Sequence, residues 1–367
     1  MPVKSRAAVL FKRGEPLRIE TLDVADPGPG EVLIKLAATG LCHSDLHLID
    51  DKIEYAMAYP LPLVAGHEGM GVVVAAGPGA PAQEGDMVIP YLLPDCGECV
   101  FCKSGRTNMC VQLGRSTRAD GKAYFSLNGQ RVTAASGTGT FSEYVCVPGD
   151  QVVKVNPQAK PDPGCCIGCA VTTGVGSALL VAKVYAGASV VVFGAGGVGL
   201  NVVQGARIAG ARTIIAVDVN DEKAEVARRM GATHFLNAAT ENLPAEVARL
   251  TGMGADFAFD TVGTMAVVRQ ALACLHRGGW AELVRIAIDQ EPEAAMRLAE
   301  FGGKTYRGSM MGGAKRADVA RFVDWYVDGT LKLDDGFVSH RLPLERINEG
   351  FELMRQGKTA RAVVLFD

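Results

Sequence analysis

The segment Gly194-Ala195-Gly196-Gly197-Val198-Gly199 lies between the apolar run Val190-Val191-Val192-Phe193 and the start of a helical periodicity, and it constrains this chain more than any other feature. A Gly-x-Gly-x-x-Gly pattern alone is weak evidence, because glycine turns occur in other α/β proteins. Here a strand precedes it, a helix follows, and Asp218 ends the next strand-like segment nineteen residues after Gly199. That is the context of a dinucleotide site in a parallel sheet. Gly194, Gly196, Gly197, Val198 and Gly199 form a turn that lets the backbone approach a pyrophosphate, whose charge rests at the helix N-terminus. Asp218 is placed to accept hydrogen bonds from a ribose and to repel a 2′-phosphate, so NAD is expected over NADP. Lys223, five residues further on, also reaches the ribose.

Around this turn, short apolar strands alternate with helical segments. The order is Ser189 to Phe193, a helix from Val198, Thr213 to Val217, a helix from Glu222 to Met230, Phe257 to Phe259, a helix ending near His276, and Ala281 to Val284. Such alternation predicts a doubly wound parallel sheet over 171–310. Residues 6–150 follow another pattern: β-branched stretches such as Glu31 to Leu36, Gly71 to Val74 and Asp86 to Ile89, cut by Gly and Pro, predict small antiparallel strands. A helix near Ala314 to Asp328 and strands near Phe337 to His340 and Ala362 to Phe366 are expected to rejoin this β-rich part. The fold class is therefore α/β, with a β-rich domain of 1–170 and 311–367 into which the nucleotide domain is inserted.

A length of 367 residues suits two domains at about 150 residues each. Lys and Arg number 37 against 40 Asp and Glu, which leaves no excess of positive charge to attract nucleic acid or an anionic membrane. The first residues lack the apolar core of a secretory signal, and no apolar run reaches the roughly 18 residues of a membrane span. A cytoplasmic protein is expected, in which ten cysteines stay reduced and their spacing reports metal or catalytic chemistry.

Cys96-x2-Cys99-x2-Cys102-x7-Cys110 places four thiols in fifteen residues of a Gly- and Pro-containing loop. Four thiolates fill a tetrahedral zinc shell and leave no open position, so this metal holds a loop together; an iron–sulfur cluster is the alternative. A dispersed set, Cys42, His67 with Glu68, and Cys169, offers two thiolates and an imidazole, the three-ligand shell of a catalytic zinc. Spacing alone does not establish it, since a lone histidine is commonly a core or loop residue.

Together these residues resemble the zinc-dependent alcohol dehydrogenases of the medium-chain dehydrogenase/reductase superfamily. The resemblance spans nearly the whole chain. It includes Gly40-Leu41-Cys42-His43-Ser44-Asp45, Gly66-His67-Glu68-Gly69, the four-cysteine loop, Thr140 to Tyr144, Gly168-Cys169 with Thr173 and Gly174, the glycine turn, and Gly357 to Arg361. It implies a GroES-like catalytic domain, an inserted Rossmann domain, NAD, and two zinc ions per chain, one catalytic and one structural. By resemblance Cys42, His67 and Cys169 hold the catalytic zinc, Glu68 is a nearby acid able to reach it, and Asp45 orients His67. Ser44 takes the substrate hydroxyl proton and passes it by way of the cofactor ribose to His47, which faces water. His43 and Arg361 meet the pyrophosphate, and Thr173 packs behind the nicotinamide. The plainer reading of His43 and His47 is a pair of exposed loop histidines.

The chain departs from the family pattern in three places. The segment between His47 and His67 is longer by about four residues than in liver-type relatives, so Glu54 to Tyr59 border the substrate entrance. Val284-Arg285-Ile286-Ala287 stands where a Val-Gly-Val-Pro turn is usual, and Leu92 replaces a common aromatic pocket wall, leaving room for a bulkier substrate. The 114–139 stretch resembles the long form, which tends to dimers, so a homodimer is expected with a tetramer as the alternative. The glutathione-dependent branch has an arginine four residues after the last structural cysteine, whereas this chain has Gly114 there and Arg115 next. The expected activity is NAD-dependent interconversion of a primary, apolar or aromatic alcohol and its aldehyde. The alternatives are glutathione-dependent formaldehyde oxidation and, more remotely, a non-catalytic nucleotide- and zinc-binding protein.

Overall fold

The computed structural model describes residues 2–52, 59–113, 115–284 and 297–367. Within them the chain forms two compact units: Met1–Cys169 with Lys315–Gly329 and Val338–Asp367, and Ala170–Ala314 with Thr330–Phe337.

The second unit is built on six parallel strands in the order His234–Asn237, Thr213–Asp218, Ser189–Phe193, Ala255–Asp260, Leu275–Leu283, Thr305–Gly308. Ser189–Phe193 and Thr213–Asp218 are buried at every position, which is why they read as continuous apolar runs rather than alternating ones. Val191, Phe193, Ile215, Val217, Ala258 and Leu272 share one core cluster. The sheet grows one way from Ser189–Phe193 through Thr213–Asp218 and the other way through Ala255–Asp260. The carboxyl end of Ser189–Phe193 is therefore the topological switch point where ligands of such sheets bind. The helix Gly197–Ile208 starts immediately beyond it.

The expected helix from Glu222 begins as a single 3-10 turn, Asp221–Lys223, and becomes α-helical only over Ala224–Met230, because the Asn220 side chain caps the turn by accepting from Glu222 N. The segment Thr330–Phe337 packs in this unit, whereas the sequence grouped it with 311–367. Arg207 Nη2 donates to the Thr330 carbonyl (2.6 Å) and Lys332 N donates to Gln204 Oε1 (2.7 Å), tying it to the helix Gly197–Ile208.

The first unit contains a closed barrel of Val3–Leu10, Arg18–Val24, Phe125–Leu127, Gln130–Ala134 and Leu63–Val64. Beside it lies a seven-stranded sheet in which Glu31–Gly40 pairs with Gly69–Ala76, Tyr144–Pro148 and Ala362–Leu365. Most ladders are antiparallel as expected, but two are parallel: Leu63–Val64 with Gln130–Ala134, and His340–Pro343 with Ala362–Leu365. The latter strand begins at His340, three residues later than the Phe337 start expected. The helix Arg316–Val327 matches its expected position. No single helix among the described residues is long and apolar enough to cross a membrane. Arg285 and residues 54–58 of the entrance segment, like Gly114, lie outside the described residues.

Candidate active site

In the first unit, Cys42 ends the extended stretch after Glu31–Gly40 and caps the helix His43–Ile49. One turn into that helix stands Asp45, 3% exposed. Its Oδ2 accepts from Cys42 N (3.3 Å), and its Oδ1 accepts from Gly66 N (3.0 Å) and from His67 Nδ1 (3.1 Å). The carboxylate thus joins the helix start to the His67 segment and commits the ring's Nδ1 to donation, which presents Nε2 as a ligand. The sequence assigned Asp45 this orienting role, and the geometry agrees with it.

Cys42, His67, Glu68 and Cys169 each present one ligand atom, all within 4.8 Å of one another, and all four residues are buried. None of the ten cysteines forms a disulfide. The Cys42 thiol is lowered well below its ordinary value, first by hydrogen bonding with Cys169 and then by His67, against the opposing effect of burial. Burial alone lowers His67, but the Asp45 carboxylate and the Cys42 sulfur outweigh it and raise the imidazole to about 10. Two thiols and an oriented imidazole are the donor set of a three-ligand zinc shell, so the residues fit the metal. Ser44 Oγ lies 3.2 Å from Cys42 Sγ and 3.4 Å from His67 Nε2, beside the ligand atoms.

One expectation needs correction. His47 does not face water: it is 6% exposed, because the helix is buried from Asp45 to Ile49, while His43 at its first position remains exposed. Their ring centroids are 6.1 Å apart. The reading of both as exposed loop histidines fails as well, since both belong to the helix. Arg361 is 4% exposed and donates through Nη2 to Glu68 Oε1, a partner that no sequence pattern indicated. This buried ion pair ties the strand Ala362–Leu365 to the ligand segment.

The four-cysteine loop also fits a tetrahedral ion. The Sγ atoms of Cys96, Cys99, Cys102 and Cys110 lie within 4.8 Å of one another, and Cys96 and Cys102 are 3.9 Å apart. Tetrahedral zinc with Zn–S near 2.3 Å sets neighbouring sulfurs at about 3.8 Å, far longer than a disulfide at about 2.05 Å. Backbone N–H groups of Cys102 and Val111 lower the Cys99 thiol to about 6, which favours the thiolate.

In the second unit, Gly194 has φ +95°, and Gly196 is the N-cap of Gly197–Ile208. A Cβ at Gly199 would fall 1.7 Å from the Gly194 carbonyl oxygen, whereas one at Gly196 would meet nothing within 4 Å. Gly199 is thus required for packing, and the space at Gly196 suits a pyrophosphate. Asp218 Oδ2 accepts from Ala195 N (2.8 Å) and from Lys223 Nζ (3.0 Å), which orients the carboxylate at the switch point. Thr173 is buried, with its hydroxyl 3.4 Å from Met311 Sδ.

Gln151 was missed by the sequence reading. Buried at 1% exposure, its Nε2 donates to the carbonyls of Tyr91, Leu92 and Ser136, and its Oε1 accepts from Arg115. A lone glutamine in a loop carries no sequence signal for such a role.

Residues 28–157 match the model of the alcohol dehydrogenase GroES-like domain, and residues 197–328 match that of the zinc-binding dehydrogenase domain. The chain is 41% identical to an S-(hydroxymethyl)glutathione dehydrogenase of Paracoccus denitrificans, over 99% of this chain and 100% of that one. It is also 41% identical to an alcohol dehydrogenase class-3 of Cereibacter sphaeroides, with the same coverage. Among solved structures, a benzyl alcohol dehydrogenase from Acinetobacter calcoaceticus superposes with a TM-score of 0.91 at 28% identity, covering all of both chains. An alcohol dehydrogenase zinc-binding domain protein from Burkholderia ambifaria gives 0.92 at 31%, also over both whole chains. With its two domain types matched and relatives aligned end to end, the chain is an oxidoreductase that belongs to the zinc-dependent alcohol dehydrogenase family of the medium-chain dehydrogenase/reductase superfamily, whose chemistry uses zinc and NAD.

Proposed function

We propose that this chain interconverts a primary alcohol with an apolar or aromatic body and its aldehyde, with Cys42, His67 and Cys169 holding a catalytic zinc and Cys96, Cys99, Cys102 and Cys110 a structural one. The observation that carries this reading is the convergence of two thiols, an Asp45-oriented imidazole and the Ser44 hydroxyl on one buried point. When bound, zinc supplies Lewis acidity to a substrate oxygen and NAD supplies the hydride acceptor. Ser44 would then take the hydroxyl proton and pass it by way of the cofactor ribose to His47, and His43 would meet the pyrophosphate. In the nucleotide domain, proposed as the second unit, 170–314 with 330–337, Gly194, Gly196, Gly197, Val198 and Gly199 bind the pyrophosphate and Asp218 with Lys223 binds the ribose. Thr173 packs against the nicotinamide. The catalytic domain is proposed as the first unit, 1–169 with 315–329 and 338–367, and the working form as a cytoplasmic homodimer.

A second reading, oxidation of the glutathione adduct of formaldehyde, is favoured by the names of the 41% identical relatives. Against it, Arg115, the nearest counterpart of that branch's arginine, is engaged with Asp150 Oδ1 (2.5 Å) and Gln151 Oε1 (3.2 Å). NADH formation from hexanol, benzyl and cinnamyl alcohols, and from formaldehyde with and without glutathione, separates the two. Higher kcat/KM on the larger alcohols supports the first reading, and a preference for formaldehyde that depends on glutathione overturns it.

A further inference from the structure

Gly40 closes the strand Glu31–Gly40, and its N–H donates to the Glu68 carbonyl (2.8 Å). Its backbone does not call for glycine, since it is absent from the residues with positive φ. The space around it does. A Cβ there would lie 2.2 Å from Glu68 Oε2, 3.2 Å from Glu68 Cβ and 3.2 Å from Cys166 Sγ. The Glu68 carboxylate occupies the volume that any other residue at position 40 would fill.

We propose that Gly40 is a positioning residue for the catalytic metal centre: its missing side chain is the recess in which Glu68 stands back on Arg361 instead of completing the metal's ligand shell. The inference rests on the zinc assignment to Cys42, His67 and Cys169 made above. Glu68 is 0% exposed, so a carboxylate forced from the recess has no path to water. Cys166 closes one side, and Arg361 holds Oε1 on another. On a further side stand the ligand atoms of Cys42, His67 and Cys169, already within 4.8 Å of a Glu68 oxygen. Pushed onto them, Glu68 becomes a fourth protein ligand, and the site acquires the closed shell of a structural zinc. Gly40 therefore keeps the position for substrate oxygen available without touching substrate or metal.

The test compares the full-length wild type with Gly40→Ala, Glu68→Ala and the double variant, each loaded with zinc and, separately, with cobalt at the catalytic site. Release of metal to a chelator is followed, with the ion of the four-cysteine loop as internal reference. The expected result is that Gly40→Ala slows release of the catalytic ion by about tenfold, the scale on which outer-shell changes act. The cobalt visible spectrum shifts and turnover falls. In the double variant, release and spectrum return to those of Glu68→Ala alone. Unchanged or faster release in Gly40→Ala, or an effect that persists without Glu68, overturns the proposal. Where Gly40→Ala does not fold, recovery of folding in the double variant identifies Glu68 as the occupant of the recess, and failure to recover overturns it. Retention of two ions in Cys42→Ala refutes the zinc assignment itself, a result separate from any of these.

Discussion

Replacing Asp218 with Asn leaves the shape of the side chain nearly unchanged and removes its charge, so it isolates the electrostatic part of cofactor choice. Asp218 ends the strand Thr213–Asp218; Oδ2 accepts from Ala195 N inside the glycine turn and from Lys223 Nζ, and Oδ1 accepts from Asn220 N (3.1 Å). The amide keeps one acceptor oxygen, so one backbone bond is lost, at about 1 kcal/mol of stability. A ribose hydroxyl bonded to a neutral instead of an ionised acceptor loses about 1 kcal/mol. A carboxylate and one phosphate charge about 5 Å apart repel by about 3 kcal/mol at an effective dielectric near 20, and this repulsion disappears. Lys223, released from Asp218, becomes a partner for the phosphate. The NAD-over-NADP preference should therefore fall by about 4 kcal/mol, close to a thousandfold. The assay is kcat/KM for each cofactor at a fixed saturating alcohol. A change in preference below tenfold, with kcat/KM for NAD intact, would refute the assignment of Asp218 to the ribose.

Asp45→Asn weakens catalytic metal binding by about 10- to 100-fold, because His67 loses an ionised acceptor, and leaves the four-cysteine ion in place; chelator competition measures both. Cys110→Ser lowers metal content by one ion per chain and lowers the thermal midpoint, since the fourth ligand of a closed shell is lost; elemental analysis and scanning calorimetry check this. In the second unit, His276 Nε2 donates to Asp256 Oδ1 (3.1 Å), each side chain about a quarter exposed. The hydrogen bond to Asp256 raises His276 above 6.5. At Asp256, burial alone would raise the carboxyl, but bonds from Ser189 and Tyr185 outweigh it and depress the group below 3.8. The His276 contribution is fully present below about pH 6.5 and is lost as pH rises through its raised value; that of Asp256 is present above about pH 3.8 and is lost as pH falls through its depressed value. The pair's contribution, read as unfolding free energy in urea at pH 5.5 and pH 8.5, should favour the acidic condition by up to about 1 kcal/mol, and His276→Gln should reduce the difference between the two conditions by that amount.

Much of the fold was legible because local chemistry and tertiary demand coincide. Val190 to Phe193 is apolar throughout because both faces of a parallel strand are covered, and in the turn that follows the positive φ of Gly194 and the crowding at Gly199 leave room for glycine alone. The cysteine spacing of 96–110 needs only a local loop to bring four sulfurs together. The parallel ladders of Leu63–Val64 and His340–Pro343 were not legible, since strand direction depends on partners far along the chain.

The same division separates the parts of the site. Residue identity determined which ligand chemistry is available: thiols, an imidazole, a carboxylate next to it, and an acid at the end of the second nucleotide-domain strand. Only the tertiary structure decided how those groups face one another. It buried His47 together with the later residues of its helix, gave Arg361 to Glu68, and set Gly40 against a carboxylate twenty-eight positions away. Such pairings depend on close packing between distant segments, where a single Cβ is enough to exclude an arrangement, and sequence spacing carries no record of that volume.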